Sequence, residues 1–334
     1  MKKVIIDSDM GWDDVLSIAY LMKDPGIEII GLTVTGCGET DLGWGTIIAQ
    51  HLLGIGNHSH VPVARGTDVP LALNNVFPQL FKNDMNDIMG LLGSLNPKEL
   101  PTLSPKPAWE FLHDTLKSAT GKVTILSLGG FTNFAKLLDL KPAASDLAKI
   151  ERIHAMAGAV YVDGNVAALN GALPAWDQGS RYSSNHYAEW NVFVDPLATD
   201  RLLKSELPLT LVPLDACNQV ILDASYEAKI TATDPVANLV RGIFDKKTHE
   251  NAEGNLPVPI FDPLATLLMT GAVTANKVDS QYLSVALGED EHDNHCGQLR
   301  VETSGSRKVD IVLGVSQTQF ARQFAQVINA KPEP

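Results

Sequence analysis

Apolar and polar positions in this chain switch between two periods. Val4-Ile5-Ile6 is a β-branched apolar run of the kind that forms a buried strand, and the residues from Asp13 onward place Val15, Ile18, Ala19 and Met22 at helical spacing. The succession then repeats. Ile27 to Val34 predicts a second strand, Gly43 to Leu53 a helix, and Val61 to Ala64 a short strand. Ala108 to Ser118 predicts a helix, Lys122 to Leu128 a strand, Thr132 to Leu138 a helix, and Ile150 to Ala157 a strand. Further on, Leu209 to Leu214 predicts a strand, Tyr226 to His249 a largely helical segment, and Asn251 to Pro259 a loop. Ile260 to Leu264 introduces a helix to Met269, with Asp262 in the N-cap position. Strands near Val278 to Leu287, Gly297 to Glu302 and Lys308 to Val315 precede a helix through Ile328. Strands alternating with helices predict βαβ units, hence an α/β fold with a mainly parallel central sheet flanked by helices. No linker or repeat divides the chain, and residues 1–330 are expected to form a single domain.

Two stretches break the pattern. Gly66 to Pro107 loses periodicity and gains prolines, which predicts an irregular excursion of the kind that covers a site; its Phe77, Phe81, Asn83, Asp84 and Asn86 read mostly as surface or local packing. Tyr161 to Tyr187, rich in Gly, Asn and Ser, is too long for an ordinary connector and is expected to be a binding loop.

Composition narrows the partners. The 334 residues are 45% hydrophobic and 19% charged, ordinary for a globular protein. A net charge of −13 with no Lys/Arg cluster argues against nucleic acid, whose phosphates require clustered cations. No apolar run is long enough to span a membrane. Cys37, Cys217 and Cys296 are odd in number and far apart, which fits a reducing compartment, and the chain opens without a signal peptide. A cytoplasmic protein is expected.

The candidate chemistry begins at the first strand, which delivers Asp7, Asp9, Asp13 and Asp14 in quick succession. Side chains two apart on a strand share a face, so Asp7 and Asp9 are expected to point the same way, with Gly11 free to take φ > 0 at the exit. Asp13 and Asp14 then open a helix. Carboxylates this close raise one another's pKa unless a cation reverses the balance, and an all-oxygen set suits a hard ion such as calcium. The alternative is a solvated, helix-capping acid cluster. Asp262, before Pro263, reads by itself equally well as a helix N-cap. Gly36-Cys37-Gly38 and Gly129-Gly130 end two other strands, where ligands gather in open α/β sheets.

Taken together these pieces resemble the inosine–uridine-preferring nucleoside hydrolase family. Asp7-Ser8-Asp9-Met10-Gly11-Trp12-Asp13-Asp14 is similar to the family's Asp-x-Asp-Pro-Gly-x-Asp-Asp signature, with Met10 where Pro is usual. Thr33-Val34-Thr35-Gly36, Leu128-Gly129-Gly130-Phe131-Thr132-Asn133, Ala188-Glu189-Trp190-Asn191 with Asp195-Pro196, and Asp262 follow in register. The resemblance implies a Rossmann-like nucleoside hydrolase fold and calcium-dependent cleavage of ribonucleosides to base and ribose, in homo-dimers or homo-tetramers. It implies that Asp9, Asp14, Asp262 and the backbone carbonyl of Leu128 bind Ca2+, and that Asp9 also takes the proton of a calcium-bound water. It places Asp13, Glu189 and Asn191 on the ribose, with Asp7 in support.

Two positions depart from the family: Cys37 stands where many members carry Asn, and Phe261 where they carry the His linked to protonating the base. Cys37 is expected either to pack or, by its matched position, to face the nucleoside. Base or 5′-hydroxyl contacts then fall to Phe261, to His186 or His249 as donors, to Trp176 or Trp190 as stacking faces, and to Ser183 or Asn185. Glu289 to Cys296 reads as a hairpin turn rather than a second metal site. An aspartate-dependent phosphatase would also begin with a strand ending Asp-x-Asp, but leaves Asp13, Glu189, Asn191 and Asp262 unexplained. A non-catalytic calcium-dependent nucleoside binder is the alternative outside enzymes.

Overall fold

The computed structural model describes residues 1–171, 184–223, 225–254, 258–288 and 294–331. Its strands are β1 (Lys2–Ser8), β2 (Ile27–Val34), β3 (Val63–Arg65), β4 (Val123–Ser127), β5 (Ile150–Met156), β6 (Leu209–Val212), β7 (Ile221–Leu222), β8 (Val258–Pro259), β9 (Lys277–Val285), β10 (Leu299–Glu302) and β11 (Val309–Gly314). Nine of them form one sheet in the order β10-β9-β11-β6-β5-β4-β1-β2-β3. From β3 to β11 the pairings are parallel, and β9 and β10 close one edge as an antiparallel hairpin.

Helices cover both faces, and the pleat of β1 shows why. Val4 and Ile6 enter a core shared with the helices Trp12–Lys23, Pro235–Gly254, Asp262–Thr270 and Gln317–Ile328. Ile5, between them, points the other way, into a core shared with Ala108–Ser118, Thr132–Asp139 and Pro196–Lys204. A strand buried on both faces needs the continuous apolar run that opens this chain.

Several boundaries differ from expectation for local reasons. The strand at Leu209 stops at Val212, before Pro213, and Leu214–Cys217 forms a helical turn instead. The segment from Tyr226 resolves into helices Ser225–Lys229 and Pro235–Gly254, the second starting at a proline suited to a first helical position. The expected loop from Asn251 is partly that helix and partly β8, which pairs with β7. The excursion holds a helix, Gln79–Met85, and a 3₁₀ turn at Leu92–Ser94. Helix Val166–Gly171 lies within the stretch expected to be a binding loop, and residues 172–183 fall outside the described residues. β9 and β10 pair antiparallel, but most of the turn expected from Glu289 lies in residues 289–293, outside the described residues; Cys296 beyond it is buried and accepts a hydrogen bond from Asn75 Nδ2.

One strand residue makes the sheet pH-sensitive. His154 on β5 has a buried Nδ1 with no hydrogen-bond partner among the described residues. Burial, and then the charges of Lys2 and Arg152, push its imidazole down to about 4 from 6.5. Below the ordinary value the unfolded chain takes the proton first, so this residue costs stability as pH falls from 6.5 until the folded-state value is passed. In thermal scans across that window, His154→Gln is expected to lose less stability on acidification than the parent chain. Parallel curves would remove His154 as a source of the slope.

Candidate active site

The strand order β3-β2-β1-β4-β5-β6 reverses direction at β1 and β4, and in open α/β sheets the crevice outside the carboxyl ends at such a point is where ligands bind. The residues leaving these two strands line a cavity of about 430 Å³. From β1 come Asp9, Trp12, Asp13 and Asp14, and from β4 comes Leu128.

The turn out of β1 is unusual. β1 ends at Ser8, so strand alternation does not carry through to Asp9; Asp9 lines the cavity and Asp7 does not. The left-handed residue is Met10, at φ 63°, not Gly11, whose φ is −62°. Proline cannot adopt a positive φ, so a turn of this shape is closed to the residue usual at this position. Ser8 Oγ accepts from the Met10 N–H at 2.9 Å and donates to Asp14 Oδ1 at 2.5 Å, tying the turn to the helix that follows. Gly11 serves close approach instead: a Cβ there would stand 2.4 Å from Glu39 Oε2.

Asp7 is wholly buried beneath the cavity, where its Oδ1 accepts from Thr33 Oγ1 and from Asn133 Nδ2 at 2.7 Å. Its Oδ2 has no partner among the described residues, and burial pushes its carboxyl up to about 7. Above it, one oxygen from each of Asp13, Asp14 and Asp262 lies within 4.8 Å of the others. Asp262 is the first residue of its helix, with Phe261 flanking, and its carboxyl hydrogen-bonds Asp14. Asp9 adjoins this group: it bonds Asp14, and its Oδ2 accepts from the Glu39 N–H at 3.1 Å. Burial raises Asp9; burial and then mutual repulsion raise Asp14 and Asp262 well above the carboxylate range, and burial, opposed by the Asp262 N–H, raises Asp13 to about 6.

Glu189 and Asn191 line the same cavity. Glu189 caps the helical turn Trp190–Phe193, its Oε1 accepting from the Asn191 N–H at 2.9 Å and its Oε2 from the Gly158 N–H at 2.8 Å. Burial outweighs these bonds and lifts its carboxyl to about 7. Asn191 Nδ2 donates to the Met156 carbonyl at 3.0 Å and reaches the Leu128 carbonyl at 3.5 Å. Phe77, Phe81 and Met85 from the excursion, with Leu169, Trp190, Val258, Pro259 and Phe261, make the rest largely apolar.

The model of the inosine–uridine preferring nucleoside hydrolase family matches residues 4–322. The chain belongs to this family. It is 30% identical over 266 residues to the pyrimidine-specific ribonucleoside hydrolase RihA of Shewanella oneidensis, covering 78% of this chain and 75% of that one. It is 29% identical to a probable uridine nucleosidase 2 of Arabidopsis thaliana, covering 70% of this chain and 65% of the relative's length, so it spans slightly under two thirds of that protein. A solved plant nucleoside hydrolase superposes at a TM-score of 0.78 with 21% identity, covering 99% of both chains, a likeness of fold.

In this member of the nucleoside hydrolase family, Asp9, Asp13, Asp14, Leu128, Glu189, Asn191 and Asp262 all line one cavity, with Trp190 and Phe261. Asp13, expected on the sugar, shares the tight acid group with Asp14 and Asp262, whereas Asp9 is held slightly aside by the Glu39 N–H. Cys37 is not among the lining residues. Its thiol reaches the Thr67 carbonyl, it packs with Phe77 and Trp190, and burial pushes it up to about 11, so it stays protonated.

Three expected base or hydroxyl contacts lie elsewhere. Asn185 is buried in a turn, its Oδ1 accepting from the Tyr187 and Ala188 N–H groups and its Nδ2 donating to the Cys296 carbonyl. His186 is exposed outside the cavity lining. His249 is 76% exposed on its helix, where Nδ1 lies 2.7 Å from the Asp245 carbonyl one turn back. Trp176 and Ser183 fall outside the described residues. Phe77, Phe81 and Asp84 line the cavity, as suits an excursion expected to cover a site, whereas by sequence the residues it carries read mostly as surface or local packing.

Sequence reasoning missed Glu39 and Lys247, both on the cavity wall. An acid just past Gly38 at a strand end was a usable signal for Glu39; a lysine within a long helix offered none for Lys247.

Gly38 explains how Asp9 keeps its place, since a Cβ there would stand 1.6 Å from Asp9 Oδ2. Gly43, by contrast, lies in the helix Leu42–Ile55 with open space where its Cβ would be. Urea unfolding should therefore show Gly38→Ala destabilising by about 1–3 kcal/mol, as overpacking does. Gly43→Ala should stabilise by about 0.5–1 kcal/mol through helix propensity. Equal effects at the two glycines would contradict the packing against Asp9.

Proposed function

We propose that this protein hydrolyses the N-glycosidic bond of ribonucleosides, releasing free base and ribose, with Ca2+ as its cofactor. The observation that carries the reading is the meeting, in one cavity of a family member, of the buried aspartates with Glu189 and Asn191.

A hard dication fits the acid group. Its donors are all oxygen, and a mutual spacing within 4.8 Å is what bonds of about 2.3–2.6 Å to one Ca2+ permit. Asp14 and Asp262 would hold it, with Asp13 in the same group, Asp9 beside it and the Leu128 carbonyl on the wall. When bound, the cation supplies the charge that keeps these acids ionised and lowers the pKa of water at the site.

The chain's own groups account for the remaining chemistry. Asp13, Glu189 and Asn191 orient the ribose hydroxyls, and the surrounding carboxylates stabilise the positive charge that develops on the ribosyl ring as the bond to the base stretches. Asp9, its Oδ2 fixed by the Glu39 N–H, is the general base that takes a proton from water as the water adds to C1′. Phe77, Trp190 and Phe261 exclude bulk solvent and offer ring faces to the base. The same reading carries a cytoplasmic site of action, the expectation drawn from the cysteines, and assembly as homo-dimers or homo-tetramers, the expectation of the resemblance. Among the described residues no helix is long and apolar enough to cross a membrane.

A phosphatase reading needs a strand-end aspartate open to substrate, and Asp7 is sealed by Thr33 and Asn133. A reducing-sugar assay over uridine, cytidine, inosine and guanosine with Ca2+ present is expected to show release of ribose. Asp9→Ala should lower the rate by about 10³-fold or more, within the range for loss of a general base, while the melting temperature is kept. Silence across the panel would favour the binder; phosphate release from phosphomonoesters would favour the phosphatase.

A further inference from the structure

From the cavity lining we infer that Lys247 is the group that stabilises the departing base, acting as a charged hydrogen-bond donor to the atom on which the leaving electron pair collects. The inference rests on the hydrolase reading above and adds a residue for the half of the reaction which the acid floor does not serve.

Breaking the C1′–N bond sends an electron pair onto the base, and that developing negative charge must meet a donor. The acid floor supplies the opposite sign. Carboxylates enter the cavity from β1, from Glu39, from Glu189 and from Asp262, whereas Lys247 is the one cationic side chain among the described lining residues. No histidine or tyrosine stands among those residues, and His186 and His249, the imidazoles nearest in expectation, lie outside the lining. Phe261, beside Asp262, presents a ring with no proton to offer.

Position supports the assignment. Lys247 projects from the helix Pro235–Gly254 with Nζ 5.4 Å from the centroid of Trp12, a contact that holds the ammonium against one wall of the cavity. Trp12 immediately precedes Asp13, and the Lys247 charge is felt by both Asp13 and Glu39. The ring contact holds the ammonium at the cavity wall, within electrostatic reach of Asp13, the group proposed to hold the sugar from which the base departs.

The step balances without a further reactant. Water gives its hydroxyl to C1′ and its proton to Asp9; the C1′–N pair passes to the base, which is hydrogen-bonded by Lys247 Nζ–H. The released base then takes a proton from solvent, to which Asp9 returns its own. Lys247 keeps its charge throughout, so arginine is able to substitute. Trp190 Nε1, buried and without a partner among the described residues, is the neutral competitor for the same task.

The test compares leaving groups. Ribonucleosides carry bases that leave poorly, whereas p-nitrophenyl β-D-ribofuranoside releases a stable phenolate and needs little help. Lys247→Met in the full-length, Ca2+-loaded protein is expected to lower kcat/KM on the nucleosides by about 10²-fold or more, the size found for removing one preorganised donor. The loss on the p-nitrophenyl riboside is expected to be at least about tenfold smaller, since that substrate gains little from such a donor, and Lys247→Arg should recover most of the loss on nucleosides. Lys247→Gln, which keeps a polar side chain, should behave like Lys247→Met and guards against a folding artefact. Equal losses on both substrates, no loss on either, or the selective loss appearing in Trp190→Phe instead would overturn the assignment. A parent enzyme inert on both substrates would sink the hydrolase reading itself, which separates the two failures.

Discussion

Buried carboxylates repel, and here four of them converge where β1 ends and the next helix begins. Asp14 and Asp262 share a hydrogen bond, Asp13 accepts from the Asp262 N–H, and Asp9 is fixed from outside by the Glu39 N–H. Within the chain these bonds satisfy individual oxygens without removing the charge, and burial raises the carboxyls. The rest of the site follows from that constraint. A dication would neutralise what the fold has forced together, and a sugar whose ring becomes positive would be drawn to the same place.

The fold supplies this arrangement by simple means. A parallel sheet buried on both faces leaves its carboxyl edge as the natural opening, and the strand order reverses between β1 and β4, where ligands bind in open α/β sheets. Glycines then let groups approach more closely than a side chain allows: Gly11 beneath Glu39, Gly38 against Asp9. The positive φ at Met10 belongs to the same economy, since a left-handed residue turns the chain from strand to helix within a few residues and lets Ser8 Oγ bond both Met10 and Asp14.

Much of this was legible beforehand because it is written locally. The apolar run of β1, the helical spacing after Asp13 and the ordered motifs at Gly129, Glu189 and Asp262 each carry a signal within a few residues, and each of those motifs, with the turn out of β1, sends residues to one cavity. What failed was long-range or sub-ångström. Periodicity placed Asp7 and Asp9 together, but the strand ends between them. Asn185 and His249 were plausible by residue type; one spends its amide on a buried turn and the other faces solvent from its helix. Lys247 reaches the cavity only because a distant helix folds over it, and no spacing in the sequence records that meeting. The aperiodic excursion was expected to cover a site, but without a period it could not tell that Phe77 and Phe81 are the residues that do so.

The central claim is that the acid floor is a cation site whose carboxyls are ionised by the ion they bind. Titration calorimetry of Ca2+ into metal-stripped protein at pH 6, repeated in buffers of differing ionisation enthalpy, tests it most directly. Because Asp9, Asp13, Asp14 and Asp262 are all raised in the metal-free chain, saturable binding should release protons and its heat should vary with the buffer. Absence of binding, or binding whose heat is the same in every buffer, would contradict the account.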